Sequence, residues 1–93
     1  MSQHLVVFTM EGCPYCYDFK EMLGKEKIEF TDLDINDHPD EYNMFTKIVG
    51  NDLVPAFMVV NTEGGKTTFM APDRDYEELD EALEKIKEII NPQ

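Results

Sequence analysis

Apolar and polar positions along the chain alternate with two periods, and the switches between them mark out seven short elements. His4 to Thr9 is a run rich in valine and phenylalanine, as in a short buried strand. Met10-Glu11-Gly12 is a loop, and Pro14 suits the first turn of a helix, where a missing N–H costs nothing. Cys16, Phe19 and Leu23 recur at helical spacing with Met22 beside them, and Gly24 is placed to end that helix. Ile28 and Phe30 then alternate into a second strand that continues to Asp34.

A loop of Asn36-Asp37-His38 leads to Pro39, again a helix-start signal. Tyr42, Phe45, Ile48 and Val49 form one apolar face, and Gly50-Asn51-Asp52 closes that helix. Leu53-Val54-Pro55 enters a third strand, Ala56 to Val60. Asn61-Thr62-Glu63-Gly64-Gly65 is a turn cluster, so the fourth strand, Lys66 to Met70, makes a hairpin with the third. Ala71-Pro72-Asp73 breaks the pattern. Asp73 or Asp75 then caps a last helix whose core stripe is Leu79, Leu83, Ile86 and Ile90, with Glu77-Glu78 to Lys87-Glu88 on its wet face. The phenylalanines at 8, 19, 30, 45, 57 and 69, with Met44 and Met58, are read as core.

The order is β-α-β-α-β-β-α in one α/β domain over residues 1–93, with no repeats and no linker. The first β-α-β crosses over right-handedly with its strands parallel, and the closing hairpin adds antiparallel strands. A four-stranded mixed sheet flanked by three helices follows.

Composition narrows the partners. Eight Lys+Arg against twenty Asp+Glu leave a net charge of −12 over 93 residues. Such a chain is repelled by phosphate backbones and anionic lipid, so no nucleic acid and no membrane are expected among its partners. The charge serves solubility, or docking on a basic protein. Leu5-Val6-Val7-Phe8 is too short for a signal-peptide core or a span, so a soluble chain in the cytoplasm is expected. A monomer is expected as well.

The two cysteines, Cys13 and Cys16, form one C-x-x-C. The loop between them is too short for a disulfide to restrict the unfolded chain much, which leaves redox chemistry or metal. Zinc needs about four ligands, and only His4 and His38 could join the pair. Cys13 falls between a strand and a helix, where unpaired N–H groups and the helix dipole favour thiolate. Cys16, nearly one turn on, lies within disulfide reach and is the more buried of the two. Cys13 therefore attacks a substrate disulfide, and Cys16 resolves the mixed disulfide. Val54-Pro55 opens a strand, and a cis bond there would free the Val54 backbone to pair with an extended substrate.

Cys13-Pro14-Tyr15-Cys16 resembles the active-site tetrapeptide of dithiol glutaredoxins, and Val54-Pro55 resembles their cis-proline loop. The element order is similar to the thioredoxin fold over nearly the whole chain. The resemblance implies a glutathione-linked thiol-disulfide oxidoreductase in which Cys13 is the nucleophile, Cys16 resolves, and Tyr15, Val54 and Pro55 border the substrate groove. Met10 stands where many family members have a glutathione-binding lysine. Gly64-Gly65 reads as a hairpin turn and does not open the last helix as the family's Gly-Gly pair does. Ala71 to Asp75 takes that place, so Asp73 and Arg74 are assigned to substrate binding, Arg74 either gripping a carboxylate or standing solvated.

The long hairpin is similar to that of thioredoxins, but Gly12, Pro14-Tyr15 and Val7 stand where that family has Trp, Gly-Pro and a buried Asp. By the same resemblance no cofactor or metal is bound and glutathione is a co-substrate. The partners are disulfide-bearing proteins, ribonucleotide reductase among them, and glutathione or a reductase flavoprotein recycles the pair. A thioredoxin-like reductant served by thioredoxin reductase, a metal or iron–sulfur module, and a non-catalytic interaction domain stay open as alternatives.

Overall fold

The computed structural model describes residues 3–61 and 64–90. The elements are β1 (Gln3–Thr9), α1 (Pro14–Lys25), β2 (Thr31–Asp34), α2 (Pro39–Val49), β3 (Ala56–Asn61), β4 (Lys66–Met70) and α3 (Leu79–Ile90). The sheet runs β2-β1-β3-β4, parallel between β1 and β2 and antiparallel elsewhere. This is the four-stranded mixed sheet with three helices that the apolar pattern implies. Of the hairpin turn, Thr62 and Glu63 lie outside the described residues.

β1 sits inside the sheet and is covered on both faces, so residues 5–9 are all buried. Its side chains alternate between two cores. Leu5 and Val7, with Phe57 and Val59 of β3, pack on Phe19 and Leu23 of α1 and Ala82 and Ile86 of α3. Phe8 and Ala56 pack on Tyr42, Phe45 and Val49 of α2. Fully burying such a side chain contributes about 1.5–3 kcal/mol relative to leaving it exposed. The result is three layers: α1 and α3 on one face of the sheet, α2 on the other.

Helix ends depart from the apolar pattern where backbone hydrogen bonds decide them. Gly24 does not end α1, which runs on to Lys25 with Glu26 as its C-cap. Ile28 N–H donates to the Leu23 carbonyl at 3.0 Å and Lys27 N–H to the Gly24 carbonyl at 3.1 Å. That paired closure requires a left-handed residue at its turn, and Lys27 takes it with φ +57°. Gly50 ends α2 as expected, at φ +85°.

Neither Asp73 nor Asp75 caps α3. Asp75 instead accepts from the Ala71 N–H at 2.9 Å, and the Glu81 carboxylate accepts the N–H groups of Glu77 and Glu78, just ahead of the helix. Other departures concern registry. Ile28 and Phe30 precede β2, because only Thr31–Asp34 pairs with β1; both pack on the core all the same. Ile48 and Met44 face solvent, since the buried stripe of α2 is confined to Tyr42, Phe45 and Val49.

One polar network pins α1 to the sheet. The buried Thr9 hydroxyl donates to Asp32 at 2.5 Å, and the Lys20 ammonium donates to the other carboxylate oxygen at 2.9 Å. Partial burial pushes the Asp32 carboxyl up, but these bonds together outweigh it and hold the group below its ordinary value.

Candidate active site

Thr9 ends β1, and the loop from Met10 to Gly12 delivers Cys13 to the N-cap of α1. Pro14 follows at the first helical position. It has no N–H to orphan, and its fixed φ suits the helix. Cys13 has extended backbone, φ −104° and ψ 104°, which turns its sulfur back over the helix start. There Sγ accepts the Cys16 N–H at 3.1 Å. The two cysteines are joined as a disulfide, with Cα atoms 5.3 Å apart. Cys16 is 1% exposed, whereas Cys13 is open to solvent on one side. An incoming disulfide therefore meets Cys13 first. In a reduced pair the same N–H and the helix dipole would favour the thiolate of Cys13 over its thiol.

A groove of about 550 Å³ opens at Tyr15, which stands between the two cysteines, although neither cysteine lines it. Tyr15, Val54 and Pro55 line it together with Leu53, Pro72, Tyr76 and Leu79. Asp18, Glu77 and Glu78 complete its wall. The Val54–Pro55 bond is cis. The loop that carries it is held from two sides. The Tyr42 hydroxyl donates to the Asp52 carbonyl at 2.6 Å. Asn51 donates through Nδ2 to the Pro72 carbonyl at 2.9 Å and accepts the Leu53 N–H at 3.1 Å.

From below, the buried Tyr76 hydroxyl donates to the Pro55 carbonyl. The Tyr76 ring stacks on Phe57 with centroids 5.6 Å apart, and Phe57 meets Phe19 at 5.7 Å. Burial, with the Asp75 carboxylate adding to it, pushes the Tyr76 phenol well above the ordinary tyrosine range, so the group stays a donor. A chain of aromatic rings thus couples the cysteine-bearing helix to the proline loop.

Of the residues singled out from the sequence, Tyr15, Val54 and Pro55 come together at this groove. Asp73 and Arg74 do not line it, although Pro72 and Tyr76 on either side of them do. Arg74 is turned onto Asp75 at 2.6 Å and onto the Phe69 carbonyl at 3.2 Å. Asp73 sits exposed on the turn, at φ +61°. Sequence reading missed Asp18, Leu53, Pro72 and Tyr76 as groove residues and took Glu77 and Glu78 for a wet helix face. The last three lie ahead of α3, which starts only at Leu79: Tyr76 bridges Pro72, and 77–78 bend into the helix.

His4 pairs with the Thr31 hydroxyl at 2.7 Å and His38 with Glu41 at 3.0 Å. Among the described residues no group of three or more His, Cys, Asp or Glu is arranged to hold a metal ion. A second depression, about 480 Å³, lies at the opposite end of β1, away from the cysteines.

A dithiol pair capping a helix on a thioredoxin-like sheet defines the thiol-disulfide oxidoreductase class. The glutaredoxin family model matches residues 5–63, and the chain belongs to the glutaredoxin family. Comparison with curated protein sequences gives no match. Among solved structures, the fold is similar to the solution structure of glutaredoxin from Brucella melitensis, with 20% identity, a TM-score of 0.55, and 94% of this chain and 84% of that one covered. It is similar to the holo form of glutaredoxin C1 from Populus tremula x tremuloides, with 21% identity, a TM-score of 0.58, and 94% and 75% covered. It is also similar to a maleylacetoacetate isomerase from Anaeromyxobacter dehalogenans with glutathione bound, with 15% identity, a TM-score of 0.62, and 98% of this chain and 40% of that one covered.

Proposed function

We propose that the chain reduces disulfides in protein substrates through the Cys13/Cys16 dithiol, with glutathione as a thiol co-substrate that recycles it. The Cys13 thiolate attacks one sulfur of the substrate disulfide. That S–S bond breaks, a mixed disulfide forms, and the first substrate sulfur leaves as a thiolate that takes up a proton. Cys16 then attacks Cys13 Sγ, releasing the second substrate thiol and leaving the Cys13–Cys16 disulfide. Two electrons pass from the pair to the substrate. Two thiols of a reductant return the pair to the dithiol by the same exchange in reverse. A compartment that keeps thiols reduced, such as the cytoplasm, suits this direction.

The observation that carries the reading is the N–H of Cys16 aimed at Cys13 Sγ at the start of α1. Glutathione as co-substrate is supported by family membership and by the isomerase of like fold that holds it.

The test is thiol release from a disulfide-bonded peptide by pre-reduced protein. Cys13→Ser abolishes release. Cys16→Ser keeps the first attack and accumulates a one-to-one mixed disulfide visible by mass spectrometry. Release by Cys13→Ser at the unsubstituted rate contradicts the reading.

A further inference from the structure

The wall of the groove is charged with one sign. Asp18 comes from α1, and Glu77 and Glu78 come from the segment entering α3. Among the described residues no lysine or arginine lines it. The depression continues along the seam between α1 and α3. Its next stretch shares Asp18, Glu78 and Leu79, adds Glu21 and Asp80, and has Lys25 as its one cation. Lys20 and Arg74 are each bound to an aspartate, Asp32 at 2.9 Å and Asp75 at 2.6 Å.

The start of α3 reaches the groove through Glu77, Glu78 and Leu79. A helix start ordinarily attracts an anion. Here a carboxylate of the chain already stands at the helix start: Glu81 Oε1 accepts the N–H of Glu78 at 3.2 Å and of Glu77 at 3.4 Å, the two residues that lead into α3. An incoming carboxylate meets Glu81 at that helix start and sits among acidic neighbours. A lysine or arginine meets the opposite situation. Tyr15, 67% exposed, and Leu53, 42% exposed, offer apolar surface to its stem, and the carboxylates await its head.

We propose that this groove ranks disulfides by charge, reacting faster with a protein segment that carries lysine or arginine next to the disulfide than with an anionic disulfide. The selection rests on the Cys13/Cys16 exchange proposed above and uses the same step, in which the substrate disulfide is reduced to two thiols as the pair is oxidised. Asp18, Glu77 and Glu78 determine specificity, and Glu81 opposes an anion at the helix start.

The test is single-turnover oxidation of pre-reduced protein by peptide disulfides of one length, flanked by lysine, serine or glutamate, and by glutathione disulfide. The lysine peptide reacts about tenfold or more faster than the glutamate peptide at low salt, and the gap narrows as salt rises. The triple variant Asp18→Asn, Glu77→Gln, Glu78→Gln loses most of the preference. A variant of equal net charge changed on remote surfaces, Glu29→Gln, Asp37→Asn, Glu88→Gln, keeps it. Glu81→Ala reacts several-fold faster with glutathione disulfide. Equal rates for the lysine and glutamate peptides overturn the proposal, as does an equal loss of preference in the two triple variants. An unchanged glutathione disulfide rate in Glu81→Ala overturns the role given to that residue. Failure to reduce even the serine peptide overturns the oxidoreductase reading itself.

Discussion

At the scale of single residues, the site is built by side chains whose partners are backbone groups. Cys13 takes a backbone N–H at the start of α1. Tyr76 gives its hydroxyl to the Pro55 carbonyl, and Tyr42 gives its own to Asp52. Such bonds are short-range and directional, so they position a loop more tightly than apolar contact alone. Tyr76→Phe keeps the ring on Phe57 and removes only the donor, leaving the Pro55 carbonyl without its partner. It is expected to cost about 1–3 kcal/mol, read as a lower urea midpoint with an unchanged slope. An unchanged midpoint contradicts the anchoring role.

At the scale of elements, the helices end where hydrogen bonds close them rather than where the apolar pattern stops. Lys27 holds the left-handed turn after α1, a conformation that a residue with a Cβ resists. Lys27→Gly relieves that and is expected to raise stability by about 1 kcal/mol, measured by denaturant unfolding. A loss of stability contradicts it.

The same distinction explains what was legible beforehand. Prolines at 14, 39 and 55, glycine at 50 and the runs at 5–8 and 56–60 carry their structural meaning locally, so element order and sheet composition could be read from them. The cysteine pair was legible because its spacing and its place after a strand are both local. Tyr76, Asp18 and Leu53 were not legible as one groove, because they meet only when α1, the proline loop and the entry to α3 converge. Arg74 could be read from sequence either as a carboxylate grip or as a solvated residue, and its pairing with Asp75, the next residue, could be identified only from side-chain geometry. Met44 and Ile48 fell outside the core because α2 covers the sheet with a narrow stripe.

At the scale of the molecule, a net charge of −12 on a 93-residue domain is a uniform repulsion that opposes compaction. Ion pairs such as Lys87–Glu26 at 2.5 Å are solvent-exposed and offset little of it. Salt screens charges beyond about 10 Å at ~0.1 M, so it weakens the repulsion more than the close pairs. The melting temperature is expected to rise by several degrees from low to moderate sodium chloride. A fall would show that attractive pairs dominate. The same field disfavours anionic partners at a distance, while the groove carboxylates act at contact.

The account depends on the helix start holding Cys13 as a thiolate in the reduced protein. Its titration, followed by thiolate absorbance in the ultraviolet and by alkylation rate against pH, tests this most directly. Cys16→Ser isolates the one sulfur. The predicted midpoint lies about one unit or more below the value of about 8.5 for free cysteine. A midpoint at the free-cysteine value contradicts the account.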